Sequence, residues 1–285
     1  MRVELKGTSV ELAGINAAIA NTIFADQLHG FAQIDSTNVY AMQQGRSGAP
    51  HGSVYVADEQ LAGRGRGDHR WHSAAGEGLY VSVLLRPQWS PSQLIWLPLI
   101  AGLALHRAIQ SSTALDADLR WPNDMLLHGR KCAGILVEAQ TDSLQQSFAV
   151  VGIGVNLRQR EFPPDLATPA TSLELETGRE ILRESLFLAL LQSLHAELEA
   201  VNTAVAAAAY FASIPARMEQ ISTWIRGKRV RVHGPQEFCG VTAGLDGDGF
   251  LRVQTEQGLQ RVLTGGLREA TSAICTEGRN LRLEF

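Results

Sequence analysis

Hydrophobic residues recur at helical spacing in several segments of the chain, and these segments predict its helices. The clearest case is residues 179–201, where Ile181, Leu188 and Leu191 are among the apolar positions. The same pattern predicts helices over residues 9–28 and 90–110 and another that runs to about residue 224. Pro98 lies near the first turns of the second of these helices and predicts a kink there.

Short runs rich in valine, leucine and tyrosine predict strands between the helices. We expect strands at residues 52–60, 78–87 and 147–157, and a strand, a Pro-Asn-Asp turn, a hairpin through Gly129 and a second strand over residues 118–138. The segment FAQIDSTNVYAMQQ predicts a strand, a turn and a helix. Ser36, Thr37 or Asn38 would lie at the start of that helix, where short polar side chains cap free N–H groups.

The pattern changes after IRGKRV, where short alternating strands follow one another with glycine turns between them. The predicted strands are KRVRVHG, FCGVTAGLD, GFLRVQT and QRVLTGG. The chain therefore predicts a mixed α/β domain over residues 1–225 and a small β-barrel-like domain over residues 226–285. Within the second domain, DGDG at residues 246–249 predicts a hairpin turn, because the rest of a calcium-loop pattern is absent.

Composition and charge limit the class of protein. The 285 residues are 45% hydrophobic and 19% charged, with a formal net charge of −4, which is typical of a globular protein and unfavourable for broad nucleic-acid binding. Three widely spaced cysteines, Cys132, Cys239 and Cys275, predict neither a disulfide framework nor a metal cluster. We find no signal-peptide pattern and no window of about 18 uncharged apolar residues, which predicts a cytoplasmic protein without a membrane partner.

The segment GRGRGDHRW at residues 63–71 is a basic loop on an acidic chain. Its alternating glycines leave the backbone free to direct N–H groups at an anion. Arg64 and Arg66 add fixed charge and planar donor groups that suit a carboxylate or a phosphate. The loop alone is equally consistent with a surface linker, but the negative total charge favours a small anionic ligand over nucleic acid.

Three other segments are weak signals when each is taken alone. DSTN at residues 35–38 is typical of a helix cap, and WPND at residues 121–124 is typical of a turn. The two glycines of VGIGV lack the third glycine of a dinucleotide-binding fingerprint. His69 and His72 are three residues apart, with no further ligands that would complete a metal site.

Taken together and in order, STN, GRGRG…W, WPND…GRKCAGILVE and GIGVN closely resemble the biotin protein ligase family, from about Phe31 to Thr177. The resemblance implies an α+β fold, with a mixed-sheet catalytic domain followed by a small SH3-like β-barrel. It also implies a two-step reaction with biotin, ATP and Mg²⁺. Biotin is first activated as biotinyl-5'-AMP and then transferred to a lysine of a biotin carboxyl carrier protein, such as an acetyl-CoA carboxylase subunit. A homodimer is expected as well.

The resemblance also implies roles for individual residues. Those matching the biotin-binding positions are Ser36, Thr37, Asn38, Gln60, Arg64, Gly65, Arg66, Lys131 and Gly134. Those matching the nucleotide-binding positions are Arg66, Trp71, Asn123, Lys131 and Asn156. The implied catalytic residues are Lys131, Arg66 and Asp124, and no resident metal ligand is implied.

Some of these residues have alternative interpretations. Lys131 without its flanking motif would be an ordinary solvated lysine, and Trp71 and Trp121 are either core aromatics or walls of the ligand site. Asp124 could bind Mg²⁺, accept a proton from the incoming lysine amine, or be a plain turn carboxylate. Gly152 and Gly154 are expected to line the cavity.

Two departures from the family pattern bear on function. Asp68 reduces the positive charge of the loop and is expected to weaken retention of the intermediate. Only about 30 residues precede FAQIDSTN, too few for a helix-turn-helix domain, so we expect no DNA-binding role. The alternatives are a lipoate ligase or transferase of the same fold and, less favoured, a nucleic-acid-binding module.

Overall fold

The computed structural model describes residues 10–67, 69–141, 147–164, 166–201, 204–235 and 237–270. Asp68 and Cys275 lie outside these residues. A seven-stranded sheet forms the centre of the fold, and its strands are β1 (Leu28–Ile34), β2 (Ser53–Gln60), β3 (Gly78–Leu85), β4 (Asp118–Arg120), β5 (Asp124–Leu127), β6 (Arg130–Thr141) and β7 (Ser147–Asn156). The spatial order is β1-β2-β3-β7-β6-β5-β4. The first pair is parallel and all others are antiparallel, which confirms the mixed sheet.

The helices of this part are α1 (Leu12–Ala18), α2 (Thr37–Arg46), α3 (Pro91–Leu94), α4 (Leu97–Thr113), α5 (Leu173–Thr177), α6 (Arg183–Glu199) and α7 (Ala204–Ile221). The N-terminal helix is shorter than predicted, because the chain turns back and the Asn16 and Asp26 side chains join across the turn. The segment over residues 90–110 is two helices. Pro98 occupies the first turn of α4, where a missing N–H costs nothing, so it starts a helix and does not kink one.

The alternation of side chains along the strands separates two apolar layers. Val54 and Val56 of β2 face the larger core, where α4 packs against β6 and α6. Tyr55 and Ala57 face a smaller core beneath α2. On that side of the sheet α2 packs against β2, β3 and β7.

The helical run over residues 91–113 is long and apolar enough to cross a membrane by length and composition. Two thirds of its most apolar window is buried. Its contacts with the sheet and with α6 account for its apolar composition, since a helix in the centre of a core is hydrophobic around most of its surface.

The C-terminal unit is a five-stranded antiparallel sheet. Its strands are β8 (Arg226–His233), β9 (Phe238–Leu245), β10 (Leu251–Thr255), β11 (Gly258–Val262) and β12 (Gly266–Glu269), in the order β11-β10-β9-β8-β12. The sequence predicted four of these strands and missed the last. The turn between β9 and β10 contains Asp246, whose carboxylate accepts the Asp248 and Phe250 N–H groups. The sheet is consistent with an SH3-like domain, while a closed barrel and the boundary at residue 225 stay predictions.

Candidate active site

One cavity of about 930 Å³ opens on the α2 side of the central sheet. Its walls are the start of α2, the glycine-arginine loop, the turn over residues 121–124, residues 162–163 and 166–170, and two loops of the C-terminal unit. Every residue predicted from the sequence for the biotin, nucleotide and catalytic sets lines this cavity. The structure therefore brings together segments that are far apart in the chain, and the roles of the individual residues stay predictions.

The start of α2 is held in the wall by a set of buried polar contacts. Ser36 caps the helix by accepting the N–H of Val39. The side-chain carbonyl of Gln60 accepts both the N–H (2.8 Å) and the hydroxyl of Thr37 (3.1 Å). The Thr37 hydroxyl also lies 2.8 Å from that of Ser82 on β3. Because these groups are buried and mutually bonded, they present a fixed polar surface to a ligand.

The glycine-arginine loop folds back on itself and lines the cavity. Gly65 donates its N–H to His69 O, and Trp71 donates its N–H to Gly63 O. A Cβ on Gly63 would lie 2.4 Å from the Trp71 carbonyl oxygen, so this close approach requires glycine. The sequence predicted a pliable loop here, and the structure shows in addition which backbone contacts shape it.

Arg66 points inward and connects the loop to both parts of the protein. Its Nη1 donates to the carbonyl of Gly265 in the C-terminal unit at 2.9 Å and to Asn123 Oδ1 at 3.4 Å. Burial lowers the pKa of the Arg66 guanidinium, and the nearby Asp124 carboxylate opposes that effect. The guanidinium therefore holds a positive charge at a fixed place in the cavity lining.

Glycines form the floor of the cavity where β6 meets β7. Gly134 pairs with Gly154, and the Trp71 indole lies directly on these two residues. A Cβ on Gly154 would lie 2.5 Å from the indole ring, whereas one on Gly134 would lie 3.0 Å away. The glycines thus make room for Trp71. Trp121, by contrast, is buried in the main core and only borders the cavity.

A cluster of three charges lies beside the indole. The Asp124 carboxylate receives Lys131 Nζ on one oxygen and Arg120 Nη2 on the other, each at 2.6 Å. Lys131 Nζ also lies 5.2 Å from the centre of the Trp71 ring. Burial alone would raise the pKa of Asp124, but Lys131 and Arg120 together bring it below its ordinary value. A carboxylate with a lowered pKa is a weak proton acceptor, so this geometry favours Asp124 as an anchor for Lys131.

The backbone of Lys131 is fixed as firmly as its side chain. Its N–H donates to Pro169 O at 2.7 Å, and its carbonyl accepts the Thr171 N–H at 3.0 Å. The Asn156 amide donates to the carbonyls of Lys131 and Thr171. Asn123 similarly donates to Ile135 O. The two predicted nucleotide-binding asparagines thus brace the cavity backbone.

Sequence reasoning missed several residues of the site. Arg120 is buried, and it directly precedes WPND, which was the available signal. Glu138 lies at the end of the same motif as Lys131 and contacts both Asn38 and Arg64. No sequence signal placed His233 or Gly265 of the C-terminal unit at the cavity.

Among the residues that the structure describes, no group of His, Cys, Asp and Glu is arranged to hold a metal ion. Cys132 is fully buried, and burial raises the pKa of its thiol to about 12. That thiol is therefore protonated at neutral pH, which agrees with a packing role.

The loop arginines, Lys131 and the polar turn at the start of α2 line one cavity, an arrangement suited to a small anionic ligand. A sequence profile of the biotin/lipoate A/B protein ligase family matches residues 30–156. The biotin protein ligase from Aquifex aeolicus, solved in complex with biotin and ATP, superimposes with a TM-score of 0.72 and 28% identity, covering 86% of this chain and 100% of that one.

Curated relatives extend the match beyond the central domain. The biotin–[acetyl-CoA-carboxylase] ligase of Paracoccus denitrificans is 35% identical over 240 residues, which are 80% of this chain and 95% of the relative. The bifunctional ligase/repressor BirA of Bacillus subtilis is 31% identical over 237 residues, 82% of this chain and 71% of the relative. The chain belongs to the biotin protein ligase family.

Proposed function

We propose that this protein is an ATP-dependent biotin–[acetyl-CoA-carboxylase] ligase, which activates biotin as biotinyl-5'-AMP and transfers it to a lysine of a biotin carboxyl carrier protein. The observation that carries the proposal is that the STN turn, the basic loop and Lys131 meet in the same cavity. Relatives of that name and a structural neighbour in complex with biotin and ATP support it.

In the first step, an oxygen of the biotin carboxylate attacks the α-phosphorus of ATP, and the bond to the pyrophosphate oxygen breaks. Two anions must approach each other, so fixed positive charge at the point of attack lowers the barrier. Lys131 and Arg66 supply that charge from positions set by Asp124, Asn123 and Gly265. The cavity needs no covalent nucleophile for this step.

In the second step, the lysine amine of the carrier attacks the carbonyl carbon of the mixed anhydride, and AMP leaves with the bridging oxygen. The amine must lose a proton during transfer. Of the described residues that line the cavity, Asp124 is the one carboxylate, and both of its oxygens are already paired. We therefore give Asp124 the task of holding Lys131 and not that of accepting the proton.

Mg²⁺ is expected to enter with ATP. It prefers one or two carboxylates together with substrate phosphates, and Asp124 is the carboxylate of this cavity that could take part. Both oxygens of Asp124 are already paired with Lys131 and Arg120. The cavity therefore suits a Mg²⁺ ion whose ligands come mainly from the triphosphate. Bound Mg²⁺ would neutralise charge on the phosphates.

Homodimeric assembly, a cytoplasmic location and the absence of a nucleic-acid partner are further parts of the proposal. The names of the relatives described above fit biotin better than lipoate, and the cluster around Asn38 and Gln60 supplies polar groups for a ligand with a polar ring. A lipoate ligase would bind a longer apolar chain, which cannot form hydrogen bonds with the polar groups of Asn38 and Gln60.

The test of the proposal is incubation of the protein with biotin, ATP, Mg²⁺ and a biotin carrier domain, followed by intact mass measurement. We expect the carrier to gain one biotinyl group, and a carrier with arginine in place of its acceptor lysine to gain none. A parallel reaction with lipoate is the control. Modification by lipoate but not by biotin would show that the lipoate alternative is right.

Arg66→Ala is expected to release biotinyl-AMP at least about tenfold faster, since it removes a half-buried charge-assisted contact to the intermediate. Dissociation of the preformed adenylate, followed by stopped-flow fluorescence, measures the effect. Arg70→Ala is the comparison, because Arg70 also lines the cavity and carries the same charge, but its side chain is exposed. Equal effects of the two substitutions would show that the net charge of the loop matters and the position of Arg66 does not.

A further inference from the structure

Glu138 is a carboxylate close to a cavity that is built to attract anions. It shares a face of β6 with Gly134 and Leu136, which line the cavity, and its own side chain lies at the end of that row. Its side chain is 27% exposed. A negative charge there opposes the binding of an anion in the cavity. The Glu138 carboxylate is therefore expected to make a contact that requires a hydrogen-bond acceptor.

That contact is with Asn38, a residue of the STN turn. The Asn38 amide Nδ2 donates to Glu138 Oε2 at 2.8 Å. An ionised carboxylate has only acceptor atoms, so the amide nitrogen of Asn38, and not its oxygen, must face Glu138. Glu138 therefore fixes which way the amide of Asn38 is turned.

The other end of that amide is left without a partner. Asn38 is 4% exposed, and its Oδ1 is buried with no hydrogen-bond partner in the structure. An unpaired buried oxygen destabilises the folded protein, because it has lost its hydrogen bonds to water and forms none within the protein. Asn38 lines the cavity beside Gly152, where its amide carbon would lie 3.4 Å from a Cβ on that glycine. The oxygen is thus an acceptor kept free for an N–H group of a ligand.

A second contact of Glu138 is weaker. Arg64 Nη2 lies 3.3 Å from Glu138 Oε1, and the Arg64 side chain is 43% exposed. Solvent screens an ion pair of this length and exposure, so its contribution is small. The short contact with the buried Asn38 amide is the one through which Glu138 acts.

We propose that Glu138 is a positioning residue for biotin specificity, which turns the Asn38 amide so that its oxygen accepts an N–H of the bound ring. The inference rests on the proposed function, since a ring with N–H donors is the ligand that the free oxygen suits. Lipoate carries no such donor, so the same arrangement discriminates between the two ligands.

Isothermal titration of biotin against purified variants tests this. Glu138→Gln is expected to raise the biotin Kd by about fivefold, because an amide at position 138 can pair with either end of Asn38 and no longer fixes it. The KM for ATP stays unchanged. Gln140→Ala is the matched control, since Gln140 lies two residues along the same face of β6 and bonds Arg46 instead. We expect the control to leave both constants unchanged.

A double-mutant cycle separates positioning from a general structural effect. If Glu138 acts through Asn38, then Glu138→Gln changes the biotin Kd by less than about twofold when Asn38 is already alanine. Independent, multiplying effects would overturn the inference, as would an unchanged Kd in Glu138→Gln alone. Wild-type protein that binds no biotin would overturn the proposed function and this inference together, whereas wild-type binding with a silent Glu138→Gln would overturn this inference alone.

Discussion

Lys131→Ala is expected to slow adenylate formation by about 10²–10³-fold, the cost typical of losing one preorganised group that stabilises developing charge. Lys131 Nζ is held 2.6 Å from Asp124 and above the Trp71 ring, so its position is set before ligands bind. The α-phosphate and the biotin carboxylate would meet without this charge between them. Pyrophosphate release in the presence of biotin and ATP measures the step directly.

Arg130→Ala is the control for Lys131→Ala. Arg130 is the adjacent cation, but it points away from the cavity and pairs with Glu176 at 2.7 Å. We expect near-normal pyrophosphate release from this variant. If Lys131→Ala also released pyrophosphate at a near-normal rate, Lys131 would have no part in the chemistry, and Arg66 would be the principal source of charge.

Gly154→Ala is the second substitution with a large expected effect. A methyl group at this position would lie 2.5 Å from the Trp71 ring, so the indole must leave the cavity floor. We expect kcat/KM for biotin to fall by about 10²-fold, because a displacement of about 1 Å in a site can cost that much. Overpacking of this kind also destabilises a fold by about 1–3 kcal/mol. Steady-state kinetics and urea unfolding measure the two effects.

Gly152→Ala is a closely matched control, since it adds the same methyl group two residues earlier on the same face of β7. Its nearest neighbours would be Asn38 Cγ and Leu136 O at 3.4 Å, an ordinary contact distance. We expect kcat/KM within about threefold of wild type, since no side chain has to move far. Comparable losses in both variants would show that any side chain on this strand blocks the site, and that Trp71 has no special part in it.

Local patterns were sufficient for much of the fold. The short polar residues of DSTN predicted a helix start, and Ser36 is the N-cap of α2. The strand runs at residues 52–60 and 78–87 became β2 and β3 with ends shifted by two residues or fewer. The helix over residues 9–28 was predicted too long, because a turn closed by Asn16 and Asp26 overrides the apolar spacing.

The pairing of charges in the site could not be predicted in the same way. Asp124 and Lys131 belong to the segment WPND…GRKCAGILVE, which predicts their place in the site, whereas Arg120 directly precedes that segment and the segment predicts no role for it. Arg120 became part of the site because β4 and β5 pair and bring it opposite Asp124. The register of two paired strands determines which side chains lie opposite each other, and that register depends on the packing of the whole sheet.

The sequence by itself determined the family, most of the helices and strands and the residue types that the reaction needs, because helix caps, strand runs and motif spacing are local properties of the chain. Only the tertiary structure decided what those residues do for one another. Asn38 meets Glu138 across 100 residues, and Arg66 meets Gly265 across 199. Contacts over such sequence separations depend on how the sheet, the loop and the C-terminal unit pack together. Burial of side chains selects one arrangement of these parts, and the local spacing of residues does not predict that arrangement.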